Sequence, residues 1–314
     1  MHYRSLGRSG LQVSAIGLGT NQFGGKVDQA GVNEIIDGAI DLGVNFIDTA
    51  DIYQQGRSES TLGVALKGKW GKVVLATKAY NAMGDGPNDK GVSRYHLINA
   101  VEASLRRLQS DHIDLYQMHQ WDNNTPLEET LRALDDLVRS GKVRYIGASN
   151  YLAWQLARAN LLAEYNPWTP FVSIQNHYHM FEREQERELI PFCNVHNVGI
   201  LPYFPLAGGF LTGKYRRGEA APSGSRGESS SYVQAYMTDA NFDKLEALEA
   251  WANERGYTLT DLAHAWLLAQ PQVSSVISGA TKLDHVQSNV QGADWRLTAE
   301  ELRTVNATLD GDAA

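Results

Sequence analysis

Cysteine is nearly absent from this chain: Cys193 stands alone among 314 residues. No internal disulfide can form, which makes a reducing cytoplasm the expected compartment. A basic excess is lacking too, since Lys and Arg number 28 against 36 Asp and Glu, for a formal net charge of −8. Neutralising the phosphates of a nucleic acid or an anionic membrane needs the opposite balance, so neither is an expected partner. No apolar run reaches the length that spans a bilayer, and MHYRSLGRSGLQVSAIGLGT offers no uninterrupted apolar stretch for a signal peptide. A strand followed by G-x-G-x-x-G is missing as well: GLGTNQFGG has the wrong spacing, and GGFLTGK lacks the Walker pattern. Nor is there an internal repeat at a solenoid period. These absences leave a soluble globular chain, and 43% hydrophobic residues are enough for a sizeable core.

What is present is alternation. Short apolar runs at Ala15–Leu18, Asn45–Ile47, Val73–Ala76, Ile113–Gln117, Arg144–Gly147, Val172–Gln175, Ile200–Tyr203 and Ser275–Ile277 read as strands. Between them lie segments of helical period such as HLINAVEASLRRLQ and LEETLRALDDLVRSG. In the second, Leu127, Leu131, Leu134 and Val138 share one face and Gly141 stands just past the end. Strand and helix in alternation mean parallel strands covered by helices. Eight strands without a linker predict an α/β chain forming one domain, residues 1–314, built as a closed (β/α)8 TIM barrel. YRSLGRSGLQVS reads as an N-terminal β-hairpin that plugs the bottom. After the seventh strand comes a long irregular loop, Ala207 to Asp239. Its middle, RRGEAAPSGSRGESSS, is too rich in Gly, Ser and Arg to contribute core, so the expectation is a mobile lid.

The chemistry lies at the strand ends. Strand two ends at Asp48, strand three at Thr77-Lys78 and strand four at Met118-His119, with Tyr53 in the loop after strand two. In a (β/α)8 barrel these ends build the active site. Taken singly, each residue has a bland explanation: a cap for Asp48, a snorkelling Lys78, a packing Tyr53, a satisfied polar His119. Together, on three consecutive strands, they form a set. Asp48 and Lys78 can solve each other's burial problem by pairing. A nearby ammonium favours the Tyr53 phenolate and lowers its pKa, while the imidazole can donate to a substrate oxygen. No hydrolytic nucleophile or metal site is implied, because His177 and His179 lack a third ligand. Hydride transfer fits, with a cofactor supplying H⁻ and the protein H⁺.

The motifs LGRSGLQVSAIGLGT, GVNFIDTADIY, LATKAY, IDLYQMH, VRYIGASNY, IQNHYH, PLAGGFLTGKY and SGATKLDHVQSN together resemble the aldo-keto reductases. The match is closest to the bacterial and potassium-channel-β-like branch and runs from Tyr3 to about Leu309. By position, the resemblance implies Tyr53 as general acid/base, Lys78 as its partner, Asp48 as the lysine's anchor and His119 as carbonyl orienter. It implies NADPH/NADP+ as cofactor, with Ser149, Asn150 and Gln175 clamping the carboxamide and Tyr203 stacking on the nicotinamide. Gly19, Thr20 and Asn21 fall on the family's first cofactor loop, and Leu206, Gly208 and Lys214 on its pyrophosphate loop. Gly279, Thr281, Lys282, His285 and Asn289 match the adenosine-phosphate segment. Lys282 is expected to carry the NADPH preference, with Asp284 pointing away. The family more often has Arg or Gln at His285 and Glu at Ser288. Arg226 either closes over the cofactor phosphates or lies in solvent. Trp121, Tyr80 and Phe23 are candidates for an aromatic substrate pocket. The implied activity is reduction of small-molecule aldehydes and ketones. The alternative it implies is a channel-β-like NADPH-binding redox sensor or scaffold with slow turnover.

Overall fold

The computed structural model describes residues 1–311. A hairpin of β1 (Tyr3–Ser5) and β2 (Gln12–Ser14) comes first. Eight parallel strands follow: β3 (Ile16–Gly19), β4 (Phe46–Asp48), β5 (Val74–Ala79), β6 (Ile113–Met118), β7 (Val143–Ser149), β8 (Ser173–Gln175), β9 (Gly199–Ile200) and β10 (Val276–Gly279). They pair in chain order, with β10 lying beside β3. Single bridges from Ile200 to Val273 and from Tyr203 to Ile277 join β9 to β10. There the Ile200 amide donates to Gln272 O at 2.7 Å and the Ile277 amide to Pro202 O at 2.9 Å. The sheet thus closes on itself as the (β/α)8 barrel that the alternation predicts.

All six residues of β5 and all six of β6 are buried. One strand face meets the barrel interior and the other meets the helices, so these runs are mostly apolar and the polar exceptions Thr77, Lys78, Asp114 and Gln117 are buried. The helix Leu127–Arg139 turns Leu127, Leu131 and Leu134 inward and is followed by Gly141 at φ +79°. The same logic holds for Arg94–Leu108, whose N-cap Ser93 accepts from the His96 amide.

The hairpin lies across the bottom of the barrel. Leu6 and Val13 pack with Phe46, Val74, Leu115, Val172 and Leu201. Gly7, at φ +54°, passes so close that a Cβ would sit 2.2 Å from Val172 O. The Arg4 guanidinium reaches the carbonyls of Leu268 at 2.6 Å and Val273 at 2.7 Å.

The segment after β9 departs from expectation. It forms a 3-10 stretch at Ala207–Thr212 and short helices at Arg226–Ser229 and Ser231–Gln234. Gly227, within the stretch expected to lack core, is buried, as are the flanking Tyr215 and Val233. The Gly227 amide donates to Tyr215 Oη at 2.9 Å, and any side chain there would collide with that ring. Apolar anchors flanking the polar run pull it onto the barrel. Arg216 pairs with Glu249, and Arg217 with Asp243 and Glu246, all on the helix Asp239–Asn253. Among the described residues no helix is long and apolar enough to cross a membrane.

Candidate active site

Strand register sets the arrangement at the top of the barrel. β4 places Asp48 beside β5, β5 pairs Lys78 with Gln117 of β6, and Gln175 ends β8. Lys78 Nζ lies 2.6 Å from Asp48 Oδ1, 2.8 Å from Thr49 O and 3.4 Å from Tyr53 Oη. The other carboxylate oxygen, Asp48 Oδ2, accepts from Gln175 Nε2 at 2.9 Å and Gln117 Nε2 at 3.1 Å. Both charged side chains are essentially inaccessible, 0% for Lys78 and 3% for Asp48. The carboxylate ending an apolar strand is therefore paired and fully used. A buried ion pair is tolerable only with such additional hydrogen bonds. Tyr53 reaches the ammonium because the chain turns sharply after it: Gln54 and Gln55 take φ of 52° and 55° before Gly56 at 83°. Left-handed non-glycine residues in succession store strain, here beside Tyr53.

The electrostatics refine the expected picture. Burial raises the Tyr53 pKa first; Lys78 opposes this, Asp48 adds to it, and the net shift is upward. The expected lowering of the phenol's pKa is thus overturned in this site: desolvation exceeds the pull of the ammonium. Tyr53 keeps its proton through neutral pH, as a proton donor must. Burial acts against the charge on Lys78, but the Asp48 carboxylate and Tyr53 together outweigh it and the ammonium's pKa is raised. His119 is pushed down to about 3 by burial and then by Lys78, so its imidazole is neutral. Its ring meets that of Tyr53 edge-on at 5.9 Å.

Above this group opens a cavity of about 870 Å³ lined by Asp48, Tyr53 and His119. Lys78 lies behind it, fully buried. Gly19, Thr20 and Asn21 line one wall, and Ser149, Asn150, Gln175 and Tyr203 another. Leu206, Gly208 and Lys214 come from the segment after β9, and Gly279, Thr281, His285 and Asn289 from the end of β10 and the helix Leu283–Gln291. The wall is internally bonded. Ser149 Oγ donates to Gln175 O at 2.8 Å, Tyr203 Oη to Asn150 Oδ1 at 2.9 Å, and Asn150 Nδ2 to His119 O at 2.9 Å.

Part of the lining suits an anion. Lys26, Lys214 and Arg226 belong to it, Asp48 is its one acidic residue, and none of the three cations has an ion-pair partner among the described residues. At Gly209 a Cβ would stand 2.7 Å from Lys214 Nζ, so bare backbone lets the ammonium through. Arg226 sits 5.1 Å over the Phe204 ring, and the adjacent Ser225 Oγ is buried without a partner. Unpaired cations and an orphaned hydroxyl fit the diphosphate of a dinucleotide. Tyr203 offers a ring on the cavity wall, beside Asn150.

Some expectations fail here. Lys282 is absent from the lining, and its ammonium lies 3.3 Å from Asp284 Oδ2, which was expected to point away. The two side chains are close neighbours at the exposed start of the helix. Burial, then Lys282, lowers the pKa of His285, which favours its neutral form. Phe23 is fully buried in the core and cannot line a substrate pocket. Tyr80 and Trp121 are half-buried outside the cavity lining, Trp121 lying edge-on to Tyr151 and Trp154. His177 stacks on Tyr203 at 5.4 Å and bonds to Tyr232 Oη, while His179 Nε2 lies 3.4 Å from Tyr236 Oη. These histidines tie the Ser231–Gln234 helix to the cavity wall.

Sequence reasoning missed Gln117, Lys26, Ser225, Asn81 and the burial of Asp51. Gln117 was findable, since strand alternation places it on the same face as His119. Lys26 and Ser225 sit on loops whose path no pattern reveals.

The family model described as the Aldo/keto reductase family matches residues 15–310. An uncharacterized oxidoreductase, YrpG, of Bacillus subtilis is 37% identical, covering 99% of this chain and 97% of its own. A probable voltage-gated potassium channel subunit beta of Arabidopsis thaliana is 38% identical over 94% of this chain and 92% of its own. The versiconal hemiacetal acetate reductase of Aspergillus parasiticus is 35% identical over 96% and 95%. With the barrel, the cavity at its C-terminal face and this match along nearly its whole length, the chain belongs to the aldo/keto reductase family.

Proposed function

We propose that the protein is a cytoplasmic NADPH-dependent reductase of aldehydes and ketones, working reversibly towards alcohol oxidation. The observation that carries this reading is Lys78, buried between Asp48 and the Tyr53 hydroxyl behind a cavity whose lining includes Lys26, Lys214 and Arg226. The bound dinucleotide would supply hydride to the carbonyl carbon. Tyr53 gives its proton to the carbonyl oxygen, and Lys78, held by Asp48, stabilises the phenolate left behind. His119, neutral and beside Tyr53, donates to the same oxygen and orients it. Tyr203 supports the nicotinamide, with Ser149, Asn150 and Gln175 near its carboxamide. Gly19, Thr20 and Asn21 border it, while Leu206, Gly208, Lys214 and Arg226 meet the diphosphate. Gly279, Thr281, Lys282, His285 and Asn289 receive the adenosine phosphate, Lys282 after release from Asp284.

A second reading, an NADPH-binding redox sensor or scaffold with slow turnover, is favoured by the likeness to the Arabidopsis channel subunit. One experiment separates them: steady-state NADPH and NADH oxidation with a panel of aldehydes and ketones, with alcohol product quantified. Multiple turnovers with NADPH preferred support the reductase. Oxidation limited to about one equivalent of cofactor per chain supports the sensor.

A further inference from the structure

We propose that Asn81 sets the tautomer of His119, so that the imidazole presents a protonated Nε2 to the substrate oxygen. This rests on the reading of His119 as the carbonyl orienter. Asn81 lies just past the end of β5, and its Nδ2 is 3.2 Å from His119 Nδ1. Among the described residues it is the only polar group bonded to a nitrogen of that ring. An amide nitrogen carries two hydrogens and donates. The imidazole nitrogen that faces it must therefore accept, and a neutral ring with an accepting Nδ1 carries its hydrogen on Nε2. Burial and the nearby Lys78 keep the ring neutral, so a second hydrogen does not resolve the choice.

The consequence is directional. With the hydrogen on Nε2, the ring can offer an N–H to a carbonyl oxygen as negative charge develops there. With the hydrogen on Nδ1, it would turn a lone pair towards that oxygen and oppose reduction. The backbone of His119 is fixed separately, its amide donating to Ala79 O at 3.0 Å and its carbonyl accepting from Asn150. Asn81 thus acts on the ring's hydrogen rather than on the chain's path, which makes it a positioning residue for the reaction.

The direct test is the nitrogen-15 spectrum of histidine-labelled protein with NADP+ bound, the His119 signals being identified by their loss in His119→Gln. The expected result is a protonated Nε2 and a bare Nδ1. Asn81→Asp keeps the shape but presents only acceptors. It should move the hydrogen to Nδ1 and lower kcat for carbonyl reduction about tenfold to a hundredfold, leaving the NADPH Kd unchanged. A wild-type ring with its hydrogen on Nδ1 overturns the proposal without need of any variant. So does an Asn81→Asp protein with unmoved hydrogen and undiminished kcat. Full carbonyl reduction by His119→Gln would instead overturn the underlying role of His119, whichever nitrogen carries the hydrogen.

Discussion

Asp48, at the end of β4, and Asp51, three residues on in the following loop, are both buried, but only Asp48 has partners for its oxygens. Asp51 lies close to the buried Glu59, and both its carboxyl oxygens lack a hydrogen bond. Burial, followed by the Glu59 charge, pushes its pKa up from 3.8 to about 7. The folded value lies above the unfolded one, so the fold retains this proton over that interval. Stability therefore falls as pH rises from about 4 to about 7 and levels off above it. Asp51→Asn carries no charge and should gain on wild type by roughly 2–3 kcal/mol in unfolding free energy between about pH 5 and about pH 8. Urea unfolding at both pH values measures this, and a difference between the two proteins that does not change with pH would refute it. The sequence revealed the first acid and not the second for a physical reason. Asp48 ends an apolar strand, where a charge demands a partner, whereas Asp51 stands in a loop where solvation is the ordinary outcome.

At the scale of elements, the strand ends were readable and the Ala207 to Asp239 segment was not. Alternation places successive residues on opposite strand faces, so Asp48, Lys78 and His119 could be assigned to one mouth from their order alone. Composition suggested a free lid, but the flanking Tyr215 and Val233 are buried and hold it down. The Lys282–Asp284 contact escaped as well, because neighbouring charges on an exposed helix start can pair or part according to rotamer. A mobile lid would be open to trypsin near Arg216, Arg217 or Arg226. With Arg216 and Arg217 engaged by Glu249, Asp243 and Glu246, cleavage should concentrate at Arg226, at the cavity edge. Saturating NADPH should slow that cut several-fold by closing the cavity over it. Cleavage at equal rates with and without cofactor, read by mass spectrometry, would remove Arg226 from the cofactor's contacts.

Across the whole molecule, the barrel divides its duties between its two ends. The bottom is sealed by the hairpin, and the top carries the candidate chemistry. Gly7 is the point of closest approach at the bottom, so Gly7→Ala should destabilise by about 2–4 kcal/mol through its left-handed backbone and the collision with Val172 O. Turnover per folded molecule should be unchanged. An unaltered urea midpoint would show that the hairpin does not seal the barrel. The overall architecture, closure included, was legible because eight strand periods alternate with helical ones without a break, while the weakness of the seam was not, since β9 meets β10 through single bridges around Ile200 and Tyr203. In the proposed reaction Tyr53 donates the proton to the carbonyl oxygen. Comparing wild type with Tyr53→Phe in steady-state aldehyde reduction, alongside NADPH binding by fluorescence, tests it most directly. The variant keeps the ring, so cofactor affinity should hold within about twofold while kcat falls about a hundredfold or more. A Tyr53→Phe protein that reduces aldehydes at the wild-type rate would contradict the account.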